Sequence, residues 1–218
     1  MNTYPSKKQY YEWSNKYSRV PILGEKCILK FNAPLLFSKL FSKDSEAFLF
    51  ESGKGSSDIS RYSYMGESNQ SYVEIREKYS TIKLNNTFKK FTGTVDDGWD
   101  ALNFKKNIPC FKYLPHFWGG WIGYIGYEAV NLFENLPRRK ANDLELPDAY
   151  FIQVDRVIVY DNISNQLKYI IASESRGNNA TYDQYIEEIG SMWNIIDSIL
   201  SKSSNKIKLK AITFAYMQ

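Results

Sequence analysis

Two cysteines and one histidine in 218 residues leave little room for several kinds of chemistry. Cys27 and Cys110 stand far apart and outside any CxxC pattern, so neither a disulfide framework nor a zinc site is supported. With His116 alone, most histidine-based catalytic arrangements fall away, and HExxH, GxSxG and G-x-x-x-x-G-K-[ST] are all missing. His116 follows Pro115 and precedes the apolar Phe117 and Trp118, a setting that predicts a structural hydrogen-bonder rather than a base. No apolar run reaches the length of a membrane span, and MNTYPSKKQYYEW at the N-terminus lacks the apolar core of a signal peptide. The expected setting is soluble and cytoplasmic, with reduced thiols. Neither sign of charge dominates: 28 basic against 24 acidic residues leave a net charge of +4. Its densest basic stretch, KSSNKIKLK (Lys202 to Lys210), alternates in Lys206-Ile207-Lys208-Leu209-Lys210 and reads as an edge strand guarded by lysines, not as a nucleic-acid surface.

What is present is an ordinary globular composition, 43% hydrophobic and 24% charged, enough for one sizeable core. Tyr10, Trp13 and Tyr17 recur at helical spacing and predict an N-terminal helix within residues 1–20. NAPLLFSKLF predicts a second helix, with Asn32 as cap, Pro34 early, and Leu35, Leu36 and Leu40 as the buried stripe. EAFLFES, RYSYMG and SYVEIRE read as strands, with the polar loop GKGSSDIS after the first. YFIQVDRVIVYD is one long β-rich run, and a turn at 162–165 joins it to QLKYIIAS as a hairpin. A long amphipathic helix is predicted over 179–203. Its stripe is Tyr182, Tyr185, Ile186, Ile189, Trp193, Ile196 and Leu200, opened by a Thr181/Gln184 capping box. Strands joined by hairpins, with helices inserted and flanking, make the expected fold α+β, a largely antiparallel sheet or sandwich. A single domain over 1–218 is expected, with a sheet-rich core at 21–178 and a connecting segment at 204–218.

Carboxylates cluster at Asp96–Asp97, at Glu187–Glu188, and at Asp143 with Glu145, without a motif that would make any of them a magnesium site. Residue chemistry alone singles out no catalytic group. HFWGGWIGYIGYEAV, His116 to Val130, threads four glycines through bulky apolar residues. The spacing is not that of a dinucleotide fingerprint, and the lysine of a P-loop is missing. Read with period two, each face alternates glycine with a large side chain, which marks a close approach of another backbone, a bulge or a sharp bend, a packing role rather than a phosphate cradle.

Three stretches together resemble a known family. FLFESGKGSSDISRYSYMG (Phe48 to Gly66) resembles the "LLES…GRYS.IG" signature of component I of anthranilate synthase and aminodeoxychorismate (para-aminobenzoate) synthase. GGWIGYIGYEAVNLFENLP (Gly119 to Pro137) resembles the same family's "GGxxGYxGYD…FExLP", and LPDAYFIQVDRVIVYD (Leu146 to Asp161) its next landmark. The resemblance implies the N-terminal half of the chorismate-using component I architecture. It implies a regulatory and structural role in an enzyme of tryptophan or folate biosynthesis, with chorismate bound only together with a C-terminal half. That half would carry the catalytic residues and magnesium; this chain alone would be catalytically silent and hold no cofactor. A glutamine amidotransferase subunit is the implied partner, and a truncated sheet edge is expected to self-associate.

By the same resemblance, tryptophan binds near Glu51, Ser52 and Arg61, as feedback inhibitor or as fixed ligand. The residue types suit an amino acid: Glu51 or the Ser52 hydroxyl accepts from the ammonium, Arg61 donates to the carboxylate, and Phe48 to Phe50 offers an apolar wall. Blander readings stand beside this one, with Ser52 as turn chemistry before Gly53 and Arg61 in an ion pair with Glu51. A different class also stays open: a free-standing amino-acid-binding or subunit-docking module without enzymatic activity.

Overall fold

The run YFIQVDRVIVYD, one strand by its composition, is two strands that belong to different sheets. The computed structural model describes residues 1–52, 61–84, 87–92, 95–102, 108–134, 144–174 and 181–215, with the backbone alone for 90–92 and 203–215. In chain order the elements are β1 (Asn2–Tyr4), α1 (Lys7–Ser14), β2 (Arg19–Cys27), α2 (Ala33–Leu40), β3 (Ala47–Phe50) and β4 (Tyr62–Glu67). There follow β5 (Tyr72–Arg76), β6 (Tyr79–Leu84), β7 (Thr87–Thr92), α3 (Asp96–Leu102), β8 (Gly120–Ile125) and a 3₁₀ turn (Tyr127–Leu132). The chain continues with β9 (Ala149–Val154), β10 (Arg156–Asp161), β11 (Gln166–Glu174) and α4 (Tyr182–Ala215).

A six-stranded sheet has the order β1-β2-β11-β10-β4-β3, and a five-stranded sheet the order β7-β6-β5-β9-β8. All strand neighbours are antiparallel. The fold is α+β with antiparallel sheets, as expected from the sequence. Between β9 and β10 only Asp155 intervenes. Its carbonyl accepts from Ala172 at 2.7 Å and its carboxylate from the Asn69 amide at 3.4 Å. The chain thereby passes from one sheet to the other without a loop.

The six-stranded sheet is covered on both faces, which is why β10 reads as a continuous apolar run rather than an alternating one. Ile158 and Tyr160 of β10 join Val20, Ile22, Leu167, Tyr169 and Ile171 in a core under α1, α2 and α4. Val157 and Val159 face the other way, into a core shared with Ile152 and Val154 of β9 and with Phe48, Trp118 and Phe117. A third, smaller cluster lies behind the five-stranded sheet, where Val73, Ile75 and Ile82 meet Trp99, Leu102 and Leu132.

The helices form where their caps allow. Asn32 accepts from the Leu35 N–H at 2.8 Å to start α2, and Thr181 with Gln184 closes the start of α4 reciprocally. Tyr185, Ile189, Trp193 and Ile196 of α4 are buried against the sheet. A Cβ on Gly24 of β2 would lie 2.5 Å from Ile189 Cγ2 and 2.8 Å from Trp193 Nε1, so the helix sits directly on glycine.

Several expectations are corrected. The N-terminal helix spans only Lys7–Ser14, because β1 precedes it and pairs with β2. Ser6 starts it through a capping box with Gln9, and Tyr17 falls beyond its end. Lys206 to Lys210 are not an edge strand: they continue α4, which runs to Ala215. No proline and no glycine follows Gly190, and lysine, leucine, isoleucine and alanine are all tolerated in a helix. β6 and β7 were not foreseen from the sequence. The polar stretch GKGSSDIS, residues 53–60, lies outside the described residues.

The glycine-rich strand is β8. A Cβ at Gly123 would lie 1.9 Å from the Tyr150 carbonyl oxygen and 2.7 Å from Phe151 Cα, so the close backbone approach read from the sequence is real. Gly119, with φ of +149°, holds a conformation that a side chain would strain. Among the described residues β8 is a sheet edge.

Candidate functional site

The motif residues Glu51, Ser52 and Arg61 lie at the end of the β3–β4 hairpin where residues 53–60, outside the described residues, join the two strands. Phe50 pairs with Tyr64, and the same register carried two residues on sets Ser52 opposite Tyr62. Two hydrogen bonds hold that register. The Ser52 N–H donates to Ser63 Oγ at 3.2 Å, and the Ser52 hydroxyl donates to the Tyr62 carbonyl at 2.5 Å. With its proton committed to Tyr62, the hydroxyl has only lone pairs left to offer a ligand.

On the far side of β4, Tyr62 pairs with Asp161 of β10. Ser52, Tyr62 and Asp161 therefore form one row across three strands, on the side of the sheet that Phe48 and Val159 face. Below this row is an aromatic layer. Phe50 contacts Phe48 at 5.4 Å between ring centroids, Tyr62 contacts Tyr64 at 5.9 Å, and Phe117 meets Tyr64 edge-on at 6.1 Å. Phe50 keeps 54% of its surface exposed, an apolar wall with one open side. Burial pushes the Tyr62 and Tyr64 hydroxyls above their ordinary pKa, so both remain neutral donors.

Arg61 does not pair with Glu51. Its Nε donates to both carboxylate oxygens of Asp161 at 3.2 Å, and its Nη2 donates to Oδ2 at 2.8 Å. The guanidinium also lies over the Tyr62 ring, 4.8 Å from its centroid. The Asp161 side chain is 4% exposed, whereas Arg61 keeps 45%. Burial by itself would raise the Asp161 carboxyl, but the Arg61 fork and the N–H groups of Ile163 and Ser164 outweigh it and hold the pKa at about 2. The same hydrogen bond raises the pKa of Arg61.

Glu51 is exposed at the end of β3, and by strand alternation it follows Leu49 toward the helix side, opposite to Ser52. Ser52 and Arg61 are thus brought to one hairpin mouth, and Glu51 stands beside them on the other face. His116 is exposed and makes no hydrogen bond among the described residues, so the structural role expected for it does not appear. Cys27 and Cys110 are both free and exposed.

Asp161 is the residue of this site that the sequence did not single out. Its only signal was its place in the β-run ahead of the turn at 162–165. Among the described residues no group of three or more potential metal ligands occurs, and no helix is long and apolar enough to cross a membrane.

No protein-family model matches the chain. Its sequence relatives include proteins of two names. Anthranilate synthase component 1 of Acetivibrio thermocellus is 27% identical over 217 residues, 94% of this chain and 44% of that protein. Anthranilate synthase component 1 of Saccharomyces cerevisiae is 35% identical over 132 residues, 57% of this chain and 23% of that protein. Aminodeoxychorismate synthase component 1 of Bacillus subtilis is 29% identical over 171 residues, 72% of this chain and 32% of that protein. A solved structure of anthranilate synthase component I from Streptococcus pneumoniae is similar with a TM-score of 0.49 and 15% identity, over 77% of this chain and 35% of that one. The chain spans less than half the length of the curated relatives it matches. The resemblance read from its three motifs is to these same proteins, and each is by name component 1 of its enzyme.

Proposed function

We propose that this chain serves as the N-terminal regulatory and structural domain of component I of a chorismate-amination enzyme, anthranilate or aminodeoxychorismate synthase, and that it holds an amino acid, tryptophan, at the mouth of the β3–β4 hairpin. The observation that carries the reading is the row Ser52–Tyr62–Asp161, with Arg61 folded over it and Phe50 and Tyr64 beneath. Polar ends of opposite character sit above an aromatic layer, which is the complement of an α-amino acid with a flat apolar side chain. Ser52 Oγ accepts from the ammonium, while Glu51 lies on the opposite face of the sheet. Arg61 donates to the carboxylate, and the open flank of Phe50 takes the indole. Chorismate chemistry, magnesium and a glutamine amidotransferase partner belong in this reading to the rest of the assembly, not to these residues.

Calorimetric titration tests the reading. Tryptophan is expected to bind, and Ser52→Ala and Arg61→Ala each to weaken it; absence of heat at millimolar tryptophan would sink the ligand assignment. Catalysis is tested separately by adding chorismate, ammonium and magnesium to the chain and following anthranilate fluorescence. No turnover is expected. Fluorescent product from this chain alone would overturn its role as a non-catalytic domain.

A further inference from the structure

The fork between Arg61 and Asp161 fixes an orientation as well as a charge, because a guanidinium held by two donors of one edge cannot turn about its stem. We infer that Asp161 is a positioning residue for the ligand's carboxylate, acting through Arg61; the inference rests on the amino-acid site proposed above. Asp161 grips the Nε–Nη2 edge of the guanidinium with both oxygens, and the Tyr62 ring lies against its face at 4.8 Å. An edge contact and a face contact together fix the plane and its rotation. A guanidinium has five N–H donors, and those of Nη1 have no partner among the described residues, so a second carboxylate can be held on a different edge from the first.

Asp161 is itself immobilised. Its Oδ1 accepts from the N–H groups of Ile163 at 3.0 Å and Ser164 at 3.3 Å. The turn also holds the backbone of Arg61, whose carbonyl accepts from the Asn162 N–H at 2.8 Å and from its side-chain amide at 3.0 Å. Both ends of Arg61 are therefore referred to the β10–β11 turn, and the free donor edge is presented in one orientation. Lysine could supply the charge at this position but not the fork.

The test compares tryptophan with tryptamine, which has the indole and ammonium but no carboxylate. In Asp161→Asn the amide oxygen can still accept from the turn, whereas the amide NH₂ faces the donors of Arg61 and releases the guanidinium. Titration of the whole chain is expected to show tryptophan binding weakened about tenfold in D161N. Tryptamine binding is expected to stay within about twofold. Equal weakening of both ligands would mean a purely structural role, and unchanged tryptophan binding would mean none; either overturns the inference while leaving the amino-acid site standing. Wild-type protein that binds neither ligand removes the site and the inference together. Arg61→Lys is expected to give the same selective loss and supplies the comparison if D161N does not fold; an equal effect on both ligands there overturns the inference as well.

Discussion

Asp161 shows how one carboxylate can couple a turn, a strand register and a charge. Its pKa of about 2 lies below the ordinary 3.8, so the folded protein prefers the ionised form more strongly than the unfolded chain does. The sign follows: this stabilisation is complete above about pH 4 and is lost as the pH falls toward 2, with a size on the order of 2 kcal/mol. Urea unfolding of wild type and Asp161→Asn in steps from pH 6 to pH 2 is expected to show a constant gap in stability down to about pH 4, then a closing one. A gap that stays flat to pH 2 would refute this assignment. The sequence named Arg61 and missed its partner because they are 100 positions apart. They meet only through the β4–β10 register, and the adjacent Glu51 was the nearer but wrong choice. Alternation along β3 turns Glu51 to the other face, and that alternation was already visible in Phe48, Leu49 and Phe50.

Among the elements, α4 was the most legible and the most instructive. Its capping box and its stripe from Tyr182 to Ile196 are local features, and both appear in the structure. The neighbouring acids Glu187 and Glu188 looked equivalent in sequence, yet the helix gives them different work. Glu188 accepts from Arg156 Nε at 2.8 Å and Nη2 at 3.1 Å, and from the Tyr169 hydroxyl at 2.9 Å, while Glu187 is exposed. Glu188→Ala should therefore lower stability by about 1–2 kcal/mol, the pair being partly exposed. Glu187→Ala should stay within about 0.5 kcal/mol. Denaturant midpoints of the two variants decide it, and equal shifts would show that the fork to Arg156 is not what seats the helix. In β8 the element-scale constraint is steric. Gly123→Ala sets a methyl group against the Tyr150 carbonyl and should cost about 2 kcal/mol or more, read from the same midpoints.

At the scale of the whole molecule, the two-sheet arrangement was hidden because Tyr150 to Asp161 is apolar on both sides of Asp155. Composition cannot tell a long strand from two strands in different sheets; the difference is made by Asp155, whose backbone and side chain bond to β11 and to Asn69. Among the described residues the same arrangement leaves β8 as an edge with an apolar sequence. Tyr124 and Ile125 are 41% and 60% exposed on the strand. Beyond it, Tyr127, Val130 and Phe133 recur every third residue through the 3₁₀ turn, a spacing that stacks them on one side. From Phe117 to Tyr127 the sequence contains no charge, so the lysines and prolines that usually keep sheet edges apart are missing here. Antiparallel pairing of β8 with the β8 of a second copy would satisfy the open backbone groups and cover this apolar ridge at once. Sedimentation over a range of concentrations is expected to show reversible self-association of the chain. Ile125→Lys, which places a charge on the exposed edge without touching the Gly123–Tyr150 contact, is expected to return it to monomer. Monodisperse wild-type monomer at high concentration would refute the prediction, as would association that the lysine leaves unchanged.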